Sequence, residues 1–299
     1  MRKKRRNLFV LMCLCAFALM AIGSSSSNSG DKKDIVSSGD KSDNGNSSST
    51  NKKVTIEKQV LFEQENIKVT AQEYVTDSIW GEGIKLLVEN NSGKTVSVSC
   101  KALIVNNFMI SDLLVAKVAA GKKVNETMYL SSSQLEAAGI DSVGQVEIYF
   151  HVYESDTLDG LFDTDCVIIK TSQYANMDTT PNDTGVELYN EDGVKIVGKA
   201  VDEDSFWGKT IVLYCENDSG KDVTIQVKDL SINGFMINPI FSLTIYDGKM
   251  AVDAIDMLSS DLEENGIETI KDVELKFRIF EGDSFLKGKD TDVIKFSVK

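Results

Sequence analysis

The chain has 299 residues, 42% of them hydrophobic and 26% charged, with a net charge of −14, two prolines and one histidine. That length suits about two domains, and the composition is globular rather than collagenous or wholly disordered. So acidic a chain is repelled by phosphate backbones, which excludes nucleic acid as an expected partner.

The chain opens on a targeting pattern. Arg2, Lys3, Lys4, Arg5 and Arg6 form a basic head, and an apolar run follows from Leu8 to Ile22. Ala21 and Gly23 place small residues three and one positions before Ser24. Residues 1–23 therefore read as a signal peptide, and the expected location is extracellular or at the cell surface. Its removal takes away five cations and lowers the charge from −14 to −19. Bacterial lipoproteins carry a lipid-bearing cysteine where Ser24 stands. Contact with a membrane is expected only through an uncleaved or lipidated N-terminus. Residues 24–53 are almost all Ser, Asn, Gly, Asp and Lys, which reads as a disordered tether.

The rest of the chain repeats itself. Trp80-Gly81 recurs as Trp207-Gly208, 127 residues later (207 − 80). The same shift places Glu89–Lys94 (ENNSGK) on Glu216–Lys221 (ENDSGK), and Asp163-Thr164-Asp165 on Asp290-Thr291-Asp292. Two domains are expected, 54–172 and 186–299, joined by a polar link that contains Pro181. Each repeat carries its own apolar strand residues, so the link implies no large apolar interface between them.

In chain order, each repeat reads as strands. Ile84, Leu86 and Val88 alternate with more polar positions ahead of the Asn-Ser-Gly turn, as do Ile211, Leu213 and Cys215 ahead of Asp-Ser-Gly. Val96, Val98 and Cys100 continue the inward phase. Asn106-Asn107, and Asn233-Gly234 in the second repeat, sit between apolar runs as a tight hairpin turn. Ser133 and Glu136, like Ser260 and Glu263, have capping-box spacing for one short helix, which Gly139 or Gly266 can end in a left-handed conformation. Val146, Ile148, Phe150 and Val152 then alternate again. Short strands punctuated by turns predict an all-β fold of two antiparallel sandwiches.

The strand, ENNSGK turn and second strand, behind a signal and a Ser/Asn-rich tether, resemble the immunoglobulin-like domain of unknown function in exported proteins and lipoproteins of Gram-positive bacteria. That group is similar in fold to a secreted immunoprotective antigen of mycobacteria. The resemblance implies two tandem immunoglobulin-like domains. It brings no catalytic residues with it.

Candidate chemistry is sparse. His151 is the one imidazole, on the outward phase of a strand, with Arg278 at the equivalent position; it reads as a surface residue. No nucleophile–His–acid set is visible, and one histidine cannot build the common zinc sites. Asp156, Asp163 and Asp165, mirrored by Asp283, Asp290 and Asp292, are the one constellation suited to Ca²⁺, although aspartate is also a common turn residue. Cys100, Cys166 and Cys215 each align with a valine in the other repeat, which suits small buried hydrophobes with free thiols. Trp80 and Trp207 precede a strand. They read first as caps over an open core end, and second as contacts for a glycan or protein partner. The expected function is non-catalytic binding of an unknown extracellular protein or glycan, with no cofactor. A structural spacer of the envelope and an enzyme inhibitor or cryptic enzyme are the alternatives.

Overall fold

The computed structural model describes residues 53–205, 208–282 and 287–298, which belong to one compact unit. The signal and the tether up to residue 52 lie outside the described residues. In the first repeat the elements are β1 (Gln59–Gln64), β2 (Ile67–Asp77), β3 (Gly81–Asn90), β4 (Val96–Val105), β5 (Phe108–Ile110), β6 (Val115–Val118), β7 (Lys122–Tyr129), α1 (Ser132–Ala138), β8 (Gln145–Glu154), β9 (Gly160–Asp163) and β10 (Val167–Lys170). In the second they are β11 (Val186–Glu191), β12 (Val194–Ser205), β13 (Gly208–Asn217), β14 (Val223–Ile232), β15 (Phe235–Met236), β16 (Pro239–Ile240), β17 (Ser242–Ile245), β18 (Lys249–Leu258), α2 (Ser259–Glu264), β19 (Asp272–Glu281), β20 (Lys289–Asp290) and β21 (Ile294–Ser297). The strands β3, β4 and β8 recur 127 positions later as β13, β14 and β19 with identical bounds.

The fold is all-β and sandwich-like. In the first repeat one sheet runs β1-β2-β3-β7, and β4 pairs with β8, β5 and β6 in a second. In the second repeat β11-β12-β13-β18 form one sheet, while β14 pairs with β19, β17 and β15 in another. Ile84, Leu86 and Val88 point inward toward Val96, Val98, Ile148 and Phe150 in one apolar cluster. Ile211, Leu213, Cys215, Ile225 and Phe277 form its counterpart. Period-two burial along each strand produces both clusters.

The turns are held by polar residues that recur in both repeats. Asn90 is fully buried and donates from Nδ2 to the carbonyls of Lys94 (2.8 Å) and Val118 (2.9 Å), while its Oδ1 accepts from the Ser92 N–H (2.9 Å). Asn217 does the same with Lys221, Ile245 and Ser219, at 2.8, 2.9 and 3.1 Å. The ENNSGK and ENDSGK motifs are thus side-chain staples that tie a hairpin to the strand before β7 or β18. Asn106 and Asn107 adopt positive φ (46° and 75°), as the tight hairpin between β4 and β5 requires. Asn106 also accepts from the N–H of Gly144, and Asn233 from that of Lys271, pinning the entry to β8 and β19.

Two expectations are corrected. The helices do not use the capping box: Ser133 lies inside α1, whose N-cap Ser131 makes no side-chain cap bond, and Leu258 precedes α2. Gly139 does close α1 in the left-handed conformation (φ 73°). The second correction concerns the contact between repeats. Strand β5 pairs in parallel with β18, Phe108 opposite Met250 and Met109 opposite Ala251, and so joins sheets of the two repeats. Val197, Tyr214, Met250 and Val252 are buried with the first repeat's interior. The polar link gave no sign of this, because the apolar contact lies on strand faces far from it in sequence.

Candidate functional site

The turn between β2 and β3 holds two apolar side chains in water. Asp77 Oδ1 accepts from the N–H of Ile79 (2.7 Å) and of Trp80 (2.9 Å). The backbone donors of Trp80 and Ile79 in turn hold the Asp77 carboxyl below the usual carboxylate range. Gly81 then takes φ 78°, and a Cβ there would collide with the Ser132 side chain at the start of α1. These constraints fix the loop's path. Ile79 is 82% exposed and Trp80 59% exposed. The Trp80 ring lies 6.0 Å from that of Tyr129, tilted by 34°. Trp80 is therefore not a cap over the core: the Asp77 turn carries its side chain outward. Trp207 lies outside the described residues. Glu203, Gly208, Lys209, Leu262, Glu263 and Ile267 border an open cleft of about 610 Å³, where Lys209 pairs with Glu203 at 3.2 Å.

The acidic set does not assemble. Asp163 binds Lys101 (2.6 Å) and His151 Nδ1 (2.6 Å). Asp290 binds Lys228 (2.6 Å) and Arg278 (3.1 Å) in the same arrangement. Against partial desolvation, Lys101 and His151 hold the Asp163 carboxyl below its ordinary range. His151 and Arg278 thus occupy equivalent positions, each bonded to the aspartate opposite. Between the aspartates of each motif, Thr164 and Thr291 accept the N–H of Phe150 (2.9 Å) and Phe277 (3.0 Å). Asp156 approaches Lys117 at 3.9 Å, Asp165 and Asp292 are exposed, and Asp283 lies outside the described residues. Among the described residues, no three His, Cys, Asp or Glu side chains gather as a metal set.

The three thiols are free. Burial pushes the Cys215 and Cys100 thiols well up, so neither is poised as a thiolate nucleophile. Asp253 faces Cys215, and Asp112 faces Cys100. Cys166 is half-buried beside Glu147, at 3.8 Å.

A polar cluster that the sequence did not reveal lies between the repeats. Lys249 Nζ donates to both carboxylate oxygens of Glu147 (2.8 and 2.9 Å) and to Asn107 Oδ1 (3.0 Å). Asn107 Nδ2 donates to the Gly248 carbonyl (3.0 Å), and Tyr149 meets Tyr246 edge-on at 5.0 Å. Both charged side chains are largely buried. A lysine and a glutamate 102 positions apart give no pattern in sequence.

No family model matches the chain, and no curated protein matches it. Among solved structures it matches a protein of unknown function from Porphyromonas gingivalis W83, at 10% identity over 82% of this chain and 99% of that one, with a TM-score of 0.21. So loose a superposition carries neither fold nor function across. No helix among the described residues is long and apolar enough to cross a membrane.

Proposed function

We propose that this chain is a non-catalytic binding protein displayed outside the cell, built from two tandem immunoglobulin-like sandwiches of the type found in exported proteins of Gram-positive bacteria. Residues 1–23 direct export and residues 24–53 hold the sandwiches away from the surface. The ligand is a polysaccharide or polypeptide, bound at the end of the sandwich that carries Ile79, Trp80 and Tyr129. The observation behind this reading is the Asp77 turn, which fixes an exposed isoleucine and tryptophan where a loop would ordinarily be polar. Fixing aromatic side chains before contact lowers the ordering cost of binding. The recurring polar residues that the sequence singled out bind backbone or one another, which supports binding over catalysis.

The experiment is a tryptophan-fluorescence titration with envelope polysaccharide fragments, paired with a glycan and peptide array. Trp80→Ala should weaken the interaction by about tenfold or more, in line with loss of an aromatic anchor, and leave the far-UV spectrum unchanged. If arrays show binding that Trp80→Ala and Ile79→Ser leave intact, this end is not the site. If nothing binds, the spacer reading takes over. The β5–β18 pairing favours that alternative, since it couples the repeats mechanically.

A further inference from the structure

We propose that the second repeat's Phe235–Met236 hairpin docks on the β7 edge of another copy of this chain, giving weak head-to-tail self-association. The contact between repeats supplies the template. There the first repeat's hairpin presents Phe108 and Met109 to the edge of β18, and Phe108 is almost fully buried. That contact is heterologous: hairpin meets strand edge, and neither repeat uses the same surface as the other. A heterologous contact leaves one donor and one acceptor over, and these can join a further copy.

Both leftover surfaces are present. In the second repeat Phe235 and Met236, equivalent to Phe108 and Met109, are 47% and 65% exposed. In the first repeat β7, equivalent to β18, ends its sheet with no strand on its outer side among the described residues. The ion pair at the template can also re-form, because Lys122 stands where Lys249 does and Glu274 where Glu147 does.

The chemistry of the two contacts differs in a correlated way. On the acceptor, Met250 is replaced by Lys123. On the donor, α1 lies against β18; where α1 has Gln134 and Ala137, α2 carries Asp261 and Glu264. An apolar acceptor thus meets a helix with one acid, Glu136, within the chain, while a basic acceptor would meet a helix with three, Asp261, Glu263 and Glu264, between chains. Lys123 pairs with Glu89, and Glu274 with Lys295 at 2.8 Å, so association requires these exposed pairs to exchange partners. Exposed pairs contribute little each. The result is an association that is weak and sensitive to salt.

Sedimentation velocity of the full chain over a range of concentrations tests this. The weight-average mass should rise with concentration at low ionic strength, and 0.5 M NaCl should weaken the association about tenfold or more. Two exposed-site variants should each abolish it: Phe235→Asp with Met236→Asp, and Lys122→Glu with Lys123→Glu. Mixing the second variant with Asp261→Lys, Glu264→Lys protein should restore mixed association through the reversed charges. A chain that stays monomeric throughout overturns the proposal. So does self-association that survives both variants, since that would arise from another surface such as the apolar N-terminal run.

Discussion

Asn90 and Asn217 stand at equivalent turns and make the same hydrogen bonds, while Val197, Tyr214, Met250 and Val252 have Thr70, Leu87, Lys123 and Asn125 as their counterparts. Each buried staple satisfies several backbone groups. Replacing one leaves those groups buried and unpaired, at about 1–3 kcal/mol each. On the second repeat the strand faces of Val197, Tyr214, Met250 and Val252 are apolar and receive the first repeat; on the first the counterparts include the polar Thr70, Lys123 and Asn125. What the repeats share is therefore scaffold, and what separates them is where contacts with other surfaces arise.

The largest effect that sharpens this contrast is expected in the core. Leu213→Ala, at a fully buried strand position, should destabilise the second repeat by about 2–5 kcal/mol. Tyr214, Met250 and Val252 pack on the first repeat, so its transition should fall with the second. Tryptophan fluorescence can follow the first repeat alone in a Trp207→Phe background, which leaves Trp80 as the one tryptophan. A first transition that does not move would mean that the contact between repeats contributes nothing to stability.

Equivalent lysines give a direct comparison next. Lys249→Met leaves Glu147 largely buried without its cation, which should cost about 2–4 kcal/mol. Lys122→Met, on an exposed position of β7, should change stability by less than about 0.5 kcal/mol at concentrations where the chain is monomeric. Adding Glu147→Leu to Lys249→Met should recover much of the loss, because the uncompensated charge is gone. Chemical denaturation of the three variants distinguishes these outcomes. Equal effects of Lys249→Met and Lys122→Met would remove the distinction drawn between the two strand faces.

Alternation within strands was legible because a residue's side follows from its position alone: Ile84, Leu86, Val88 and their counterparts all point inward. The Asn-Asn and Asn-Gly hairpins were legible because positive φ restricts residue choice. The capping box was misread, since Ser-x-x-Glu spacing recurs by chance in a short Ser-rich segment and the N-cap lies two residues earlier, at Ser131. The aspartates resembled a calcium set because sequence shows acids but not the side chains that bind them; Lys101 and His151 come from other strands. Trp80 was misplaced for a related reason. A tryptophan before a strand fits either side of a sheet, and the Asp77 hydrogen bonds decide which. Contact between the repeats joins residues more than a hundred positions apart, beyond any local pattern.

The last difference lies inside the cores and depends on pH. Cys215 replaces the valine of the first repeat, and Asp253 stands beside it on β18. Burial pushes Asp253 up to about 6 although it accepts the Ala254 N–H, and Asp256 adds to the push. In the unfolded chain an aspartate titrates near 3.9. The folded state therefore holds this proton more tightly, so the group's stabilising contribution is full below about pH 4 and is lost as pH rises through about 6. At pH 7 the second repeat carries an ionised carboxylate in apolar surroundings. Asp253→Asn should therefore raise the second repeat's stability at pH 7 by about 1–3 kcal/mol, and the gain should close as pH falls toward 4. Calorimetry of both proteins at pH 4 and pH 7 measures the two gaps. The first repeat has Val88 in place of the thiol and Glu126 at the position of Asp253; the substitution touches neither, so the first repeat's transition should show no direct response beyond what the contact between repeats transmits. An Asn variant less stable than the parent at pH 7 would mean that the Asp253 carboxylate has a favourable partner there, and that the second core is not strained by its charge.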